Sequence, residues 1–186
     1  MFYIEVGAHD GLFQSQTINL EKNGWSGLLI EANPTLFKKC KGNRNNKSNI
    51  FVNSCLVNKD YKEDTITFYS YDDLGASGRT EQFFVGENIR GNNYTVKAVL
   101  LNDILTEHNI SEIDFFSIDT EGAELDILSS IDFDKFDFKK ILVEIHGKTA
   151  SKEEEFKIIN EMLEPHGFTP IKKLKAQFHV EYIKSN

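Results

Sequence analysis

Polar side chains follow two apolar runs in the second half of the chain, and their types suit proton transfer. Asp119 and Glu121 come directly after the run that ends at Ile118, and Glu144 and His146 close the next run. A carboxylate or an imidazole beside a hydroxyl can take its proton. We predict His146 or Asp119 as the general base. The predicted catalytic group consists of the four polar residues at these run ends: Asp119, Glu121, Glu144 and His146.

The same residues also have structural explanations. Asp119 could cap the helix that follows it, because aspartate is a favoured N-cap residue. Glu121 could be an ordinary acid near the positive end of that helix. Glu144 and His146 share one face of a strand by alternation, and a polar pair on a central strand fills a core poorly. The catalytic interpretation therefore depends most on this pair.

A divalent metal is a rival use of these side chains. Asp119, Glu144 and His146 could hold Mg²⁺ or Mn²⁺, which would lower the pKa of an acceptor hydroxyl. No metal-ligand spacing motif compels this interpretation. We therefore expect a site without a metal.

A second group of residues lies in the turn IEVGAHDG at residues 4–11. In a doubly wound sheet, the first strand-to-helix turn is rich in glycine so that the backbone can approach a nucleotide. Glu31 lies 20 residues past Gly11, where an acid can accept hydrogen bonds from both hydroxyls of a ribose. The turn alone could be a tight strand-helix connection, but together with Glu31 it predicts an adenosine-containing ligand.

The charges in the turn choose between two adenosine-containing cofactors. A dinucleotide would place its pyrophosphate at the helix N-terminus, whereas S-adenosylmethionine places an ammonium and a sulfonium there. Glu5 and Asp10 would repel the first ligand and attract the second. At ~4 Å and an effective dielectric constant near 20, each such charge pair contributes roughly 4 kcal/mol before desolvation. We predict S-adenosylmethionine, with two alternatives of another class: a nicotinamide-dependent oxidoreductase and a non-catalytic cofactor-binding module.

The elements that position these residues alternate between strands and helices. This order predicts an α/β, doubly wound, mostly parallel Rossmann-like sheet that ends in an antiparallel hairpin, with the ligand crevice at the carboxyl ends of the strands. Helices are predicted at 14–23, 34–41, 123–129 and 152–163. Strands are predicted at 2–6, 28–31, 50–52, 113–118, 140–145, 168–174 and 178–183, with added or edge strands at 65–69 and 94–99.

The bulk composition is that of a soluble globular protein. The chain has 186 residues, of which 40% are apolar and 27% are charged, and we predict one domain over residues 1–186. Only Cys40 and Cys55 are present, too few for a disulfide framework. No signal peptide is recognisable, and no apolar run approaches the ~20 residues of a membrane span. We expect a cytoplasmic protein without a membrane partner.

The net charge of -8 argues against non-specific binding of nucleic acid. Residues 38–47 oppose this trend, because the segment contains five cations and no acid. The segment could be a solvated loop after a helix, or it could be a local patch that docks an anion. The second interpretation would support an RNA substrate, which we keep as an alternative.

With these residues identified, the chain resembles the FkbM-type S-adenosylmethionine-dependent methyltransferases, a Rossmann-like family. The resemblance extends from Phe2 to about His146 and more loosely beyond. It is carried by GAHDG at 7–11, GWSGLLIEANP at 24–34, FFSIDTEGAELDIL at 115–128 and ILVEIHG at 141–147. The third block is the most specific. His9 stands where the family usually has asparagine.

The resemblance implies roles for particular residues. Glu31 would bind the ribose, Ala32 and Asn33 would line the adenosine, and Ser54 and Cys55 would lie near the adenine edge. The remaining implied cofactor contacts are Glu5, Gly7, Ala8, His9, Asp10, Gly11 and Asp119. The product of the cofactor would be S-adenosylhomocysteine.

The resemblance also implies the class of acceptor. Relatives are associated with O-methylation of a hydroxyl on a sugar, a glycan or a secondary metabolite, with an RNA or cap ribose 2′-O-methyltransferase as the alternative. We expect the stretch 72–93 to select the acceptor. Phe83, Phe84 and Tyr94 could form a stacking wall for it, or they could cover the sheet as ordinary core residues. The chain begins on its first predicted strand, whereas many relatives have helices before it that cover the cofactor. The cleft could therefore be more open here, or it could be closed by a partner, such as a second copy in a homodimer, or by an omitted segment.

Overall fold

The structure is a computed structural model that describes residues 1–70, 77–79, 92–145, 151–173 and 179–185. Its helices are α1 Ile18–Lys22, α2 Pro34–Asn43, α3 Leu101–Glu107, α4 Glu124–Ser130 and α5 Lys152–Leu163, and a 3-10 turn, Glu164–His166, follows α5. Its strands are β1 Phe2–Val6, β2 Ser26–Ile30, β3 Ile50–Val52, β4 Ser54–Leu56, β5 Thr65–Ser70, β6 Ser77–Arg79, β7 Asn92–Val99, β8 Glu112–Ile113, β9 Phe115–Ile118, β10 Asp137–Phe138, β11 Lys140–Glu144, β12 Phe168–Lys173 and β13 His179–Lys184.

Seven strands form the main sheet, in the order β12-β13-β11-β9-β1-β2-β3. The pairs from β11 through β9, β1 and β2 to β3 are parallel, and β13 runs antiparallel to both β11 and β12. The predicted fold class, a mostly parallel sheet with a C-terminal antiparallel hairpin, is therefore confirmed. The strand order reverses beside β1, which lies between β2 and β9. A crevice opens at such a point, beyond the carboxyl ends of the strands.

A second sheet, β4-β7-β5-β6, stands beside the crevice. The strands predicted at 65–69 and 94–99 are confirmed in it as antiparallel partners. The single strand predicted at 113–118 is wrong in one respect, because it is divided at Asp114 into β8 and β9. The Asp114 carboxylate accepts a hydrogen bond of 2.7 Å from the Phe2 amide, which interrupts the strand there.

The helix predicted at 14–23 is shorter than expected, because α1 begins only at Ile18. Gln14 has a φ of 50°, which a right-handed helix does not allow. The Gln16 amide donates to the Glu5 carboxylate at 2.8 Å. The residues before Ile18 therefore form a loop that wraps around Glu5.

Strand alternation places the side chains of β1 on two different faces. Ile4 and Val6 join the large core beneath α3, α4 and α5. Tyr3 packs on the opposite face, with Leu29 and Cys40. Because successive side chains alternate, Glu5 points toward this second face.

Among the described residues, the structure contains no helix whose length and hydrophobicity would let it span a membrane.

Candidate active site

A cavity of about 350 Å³ lies at the carboxyl ends of β1, β2, β4 and β9. This volume is within the range that small-molecule ligands occupy. Its walls combine apolar side chains with acids. The described lining residues are Glu5, Val6, Gly7, His9, Phe13, Gln14, Ser15, Gln16, Ile30, Glu31, Ala32, Ser54, Cys55, Leu56, Phe68, Ser117, Asp119, Thr120, Glu121, Ala123 and Ile127.

Gly7 joins the ends of three strands at the cavity floor. Its amide donates to the Ile30 carbonyl at 3.0 Å, and its φ of +80° lies in the left-handed region. A Cβ atom on Gly7 would lie 1.7 Å from the carbonyl oxygen of Asp119. Because Gly7 has no side chain, the backbones after β1 and β9 can meet. This contact sets the position of Asp119.

Glu31 is buried at the end of β2 and faces the same cavity. Its carboxylate accepts a hydrogen bond of 2.8 Å from the His9 amide and one of 2.7 Å from the Asn33 amide. Burial raises the pKa of Glu31 from its usual 4.5 to about 7, even though these amides and His9 lower it. The carboxylate therefore gains from any further hydrogen-bond donor that a ligand brings.

Glu5 is buried under the glycine turn and is paired with Arg44. The Arg44 Nη1 atom lies 3.2 Å from a Glu5 carboxylate oxygen, and Nε lies 2.6 Å from Glu21. The Thr17 hydroxyl also donates to Glu5, at 2.6 Å. Burial raises the pKa of Glu5, whereas Thr17 and Arg44 lower it. Glu5 thus lines the cavity, but its carboxylate is already paired with the buried guanidinium of Arg44.

The acids that face the cavity differ in part from those expected from the sequence. The Asp10 carboxylate accepts hydrogen bonds from the amides of Leu12 and Phe13, at 2.9 and 2.8 Å, so it serves its own loop. Glu31, Asp119 and Glu121 line the cavity instead, and no lysine or arginine is among its described lining residues. The preference for a cationic ligand rests on these three acids more than on Glu5 and Asp10.

Residues predicted to line the adenosine divide into two groups. Ala32, Ser54 and Cys55 line the cavity. The Asn33 side chain caps α2 instead, accepting from the amides of Thr35 and Leu36. Ser54 is buried, and within the described ranges its hydroxyl has no hydrogen-bond partner. A ligand in the cavity could supply that partner.

The backbone around the cavity is held in unusual conformations. His9, Gln14 and Glu121 line it and have φ values of 51°, 50° and 59°, which non-glycine residues rarely adopt. Such conformations concentrate at functional sites. The two remaining predicted turn contacts are backbone positions: the Ala8 amide donates to Ile30, and the Gly11 amide donates to Ala8.

The loop after β9 is organised by Glu124. One oxygen of this buried carboxylate accepts hydrogen bonds from the amides of Thr120 and Gly122 and from the Thr120 hydroxyl. The loop carries Glu121 at the cavity surface, where its side chain is exposed. Glu124, the third of the four acids in the block FFSIDTEGAELDIL, is therefore a structural residue that shapes the loop.

Asp119 meets two other titratable side chains at the edge of the cavity. The groups of Asp119, Glu144 and His179 all come within 4.8 Å of one another. His179 Nε2 lies 3.8 Å from an Asp119 oxygen, which is longer than a hydrogen bond. Burial raises the pKa of Asp119, and the adjacent Glu144 raises it further, against a lowering by His179. Three neighbouring strands supply the three residues.

Some predicted residues fall outside the described part of the chain. His146, Phe83 and Phe84 do, together with the side chain of Tyr94, so the general-base role of His146 and the stacking wall stay predictions. The structure gives Asp119 another histidine neighbour, His179, which sequence reasoning missed. The available signal was its position at the start of a strand that pairs with the strand of Glu144.

The basic segment 38–47 is not uniform. Lys38, Lys39, Lys41 and Lys47 are exposed, but Arg44 is only 2% exposed and belongs to the network under the glycine turn. Four of the five cations in the segment are thus exposed, and the fifth is buried. A buried acid such as Glu5 needs a cationic partner, and that requirement was the signal that could have located Arg44.

Comparisons with known proteins give a family match and a similar fold. The family model of the methyltransferase FkbM domain matches residues 5–170. A solved structure described as human methyltransferase 10 domain containing protein has a TM-score of 0.53 at 16% identity, over 98% of this chain and 71% of that chain. A TehB-like SAM-dependent methyltransferase from Corynebacterium glutamicum has a TM-score of 0.45 at 11% identity, over 100% and 80% of the two chains. No curated protein matches the sequence.

Proposed function

The chain belongs to the FkbM family of S-adenosylmethionine-dependent methyltransferases, and we propose that it methylates a hydroxyl oxygen of a sugar, a glycan or a secondary metabolite. The resemblance seen in the sequence is thus confirmed, and the nicotinamide-dependent alternative is set aside. One observation supports an oxygen acceptor most directly: Asp119 lines the cavity and is grouped with Glu144 and His179. We also propose that residues 1–186 act as a single catalytic domain.

The cavity suits an adenosine cofactor with a positive centre. Ala32, Cys55 and Leu56 offer apolar contact for a base, and the Ser54 hydroxyl lies buried beside them without a partner in the described ranges. Glu31 offers carboxylate oxygens to a ribose. Gly7, which has no side chain, lets the backbones after β1 and β9 meet at the floor of the cavity. These are the residues that we propose to hold the cofactor, which supplies an electrophilic methyl group when bound.

The protein residues have two tasks in the proposed reaction. They align the acceptor hydroxyl with the methyl group, and they receive the proton that the hydroxyl loses. We propose Asp119 for the second task, because its carboxylate lies at the cavity and is partly accessible, with 28% of the side chain exposed. Glu144 and His179 would position Asp119. Glu121, at the exposed mouth, would contact the acceptor.

Glu31→Ala should weaken the binding of S-adenosylhomocysteine by about 10- to 100-fold. Hydrogen bonds to a charged group contribute about 1.5–3 kcal/mol, and the substitution removes the carboxylate that a ribose would meet. Isothermal titration calorimetry measures the change. Glu112→Ala is the matched control, because it removes one exposed acid far from the cavity. Unchanged affinity in Glu31→Ala would refute the assignment of the ribose site.

The affinity for S-adenosylhomocysteine should also depend on pH. Burial raises the pKa of Glu31 to about 7, and ribose hydroxyls donate stronger hydrogen bonds to the ionised carboxylate than to the protonated acid. Ionisation is therefore favoured by binding, and the dissociation constant should fall by about tenfold from pH 6 to pH 8 before levelling off. Calorimetry in buffers of different ionisation enthalpy should show proton release at pH 6. In Glu31→Gln the pH profile should be flat.

The acceptor class is tested by transfer of a labelled methyl group. The wild-type protein is incubated with S-adenosylmethionine and a panel of glycans, hydroxylated metabolites and RNA, and the product is analysed by mass spectrometry and NMR. A methyl ether on a sugar or metabolite hydroxyl supports the proposal. A methylated nitrogen, or a 2′-O-methyl ribose in RNA as the product, would contradict the proposed acceptor class.

Size-exclusion chromatography with light scattering tests the predicted homodimer.

A further inference from the structure

A buried histidine at the edge of the cavity has no ordinary partner. His179 is 6% exposed, and neither ring nitrogen has a hydrogen-bond partner in the part of the chain that the structure describes. Leaving a buried polar group without a hydrogen-bond partner is unfavourable. The Nε2 atom nevertheless points toward Asp119, at 3.8 Å from Oδ2.

The carboxyl groups beside His179 have a complementary problem. Asp119 and Glu144 are adjacent, and two carboxylates in one partly buried place repel each other. A divalent cation would resolve both problems together, because each carboxylate and the imidazole could donate a lone pair to it.

The three donors are held on a rigid framework. Asp119 follows β9, Glu144 ends β11 and His179 begins β13, and these three strands are neighbours in the sheet. Glu144 and His179 are direct partners in the antiparallel register of β11 and β13. Two ligands about 2.1 Å from a common ion can be at most about 4.2 Å apart. The distance of 3.8 Å meets this limit, and separations within 4.8 Å need only small side-chain rotations.

We propose that Asp119, Glu144 and His179 form a binding site for one divalent cation of the Mg²⁺ or Mn²⁺ kind. Two carboxylates favour hard cations, and a single imidazole is compatible with Mn²⁺ in particular. Three protein ligands leave other coordination positions open toward the cavity, on the side of Asp119. The expectation from the sequence was a site without a metal, with His146 in the rival metal set. His179 now provides the imidazole.

A role for this cation in catalysis rests on the proposed function. An acceptor hydroxyl that coordinates the cation loses its proton more readily, because the positive charge stabilises the alkoxide. The proton passes to the carboxylate oxygen of Asp119 that does not face the cation, the new oxygen-methyl bond forms, and the sulfur-methyl bond breaks. The cation would thus select acceptors with an accessible hydroxyl.

The binding test uses Mn²⁺ alone, so it does not depend on methyl transfer. The full chain is titrated with MnCl₂, and the free ion is followed by electron paramagnetic resonance and the stoichiometry by calorimetry. We expect one ion per chain. His179→Ala, Asp119→Asn and Glu144→Gln should each weaken binding more than about tenfold, since loss of even an indirect partner of a metal has an effect of that size. His108→Ala, at an exposed histidine, should change nothing.

The outcomes separate the two proposals. Absence of saturable Mn²⁺ binding by the wild-type protein, or equal binding by His179→Ala with a native thermal unfolding transition, would overturn the cation site. In that case methylation of a hydroxyl in the presence of EDTA would leave the proposed function standing. Binding of one Mn²⁺ that the three variants lose supports the site whether or not an acceptor has been found. Loss of hydroxyl methylation in EDTA and its recovery with Mn²⁺ or Mg²⁺ supports the catalytic role.

Discussion

Arg44→Met is expected to lower the free energy of unfolding by about 3–5 kcal/mol, the range observed when one partner of a buried ion pair is removed. Arg44 is buried, and its guanidinium ties the start of the sheet to the glycine turn and to α1. Removing it would leave Glu5 buried without its cation. Its hydrogen-bond acceptors are Tyr3, Glu5, Gly11, Ser15, Thr17 and Glu21. Equilibrium unfolding in urea measures the change.

Lys41→Met is the matched control for Arg44→Met. Lys41 also lies on or near the end of α2 and carries the same charge, but it is exposed, so its loss should change stability by less than about 0.5 kcal/mol. The double variant Arg44→Met/Glu5→Gln should recover part of the loss, because it no longer buries an unpaired carboxylate. Equal effects of Arg44→Met and Lys41→Met would contradict the network.

Local patterns in the sequence were sufficient to predict several elements. The strands 2–6 and 50–52 and the helix 152–163 have the predicted bounds. For the helix, Ser151 caps the first turn by accepting from the Glu154 amide, and buried positions recur along one face. Pro34 likewise begins α2, after the capping side chain of Asn33. These signals act over a few residues, so a single sequence contains them in full.

The parallel order of the strands also allowed the residues that line the crevice to be predicted. Because the carboxyl ends of neighbouring parallel strands meet at one edge of a sheet, Gly7, Glu31 and Asp119 could be expected to converge. They do line one cavity. The reasoning needed only the order of strands and helices, together with the right-handed rule for their connections.

Partners distant in the sequence could not be predicted in the same way. Arg44 meets Glu5 across 39 residues, after α2 has turned the chain back toward β1. His179 meets Glu144 through the register of an antiparallel pair, and strand periodicity alone does not specify that register. The first residues of the predicted helix 14–23 are not helical for a similar reason, because Ser15, Gln16 and Thr17 donate hydrogen bonds to the Glu5 carboxylate. Each miss therefore reflects a long-range contact that overrides a local preference.

The second large effect is expected for Gly7→Ala. Its Cβ atom would lie 1.7 Å from the Asp119 carbonyl oxygen, and the backbone φ of +80° is unfavourable for alanine. The left-handed conformation alone costs about 1–2 kcal/mol, and overpacking adds about 1–3 kcal/mol or more. We expect a loss of about 3–5 kcal/mol in urea unfolding and binding of S-adenosylhomocysteine more than about tenfold weaker in calorimetry.

Gly24→Ala separates the two contributions. Gly24 has a φ of +87°, but a Cβ atom added there meets nothing within 4 Å. Gly24→Ala therefore measures only the conformational penalty, about 1–2 kcal/mol. Its affinity for the cofactor should stay at the wild-type value. The excess effect of Gly7→Ala measures how closely the backbones after β1 and β9 must approach. If the two variants were equally destabilised and both bound the cofactor normally, Asp119 would not owe its position to Gly7. The cavity floor would then need a different explanation.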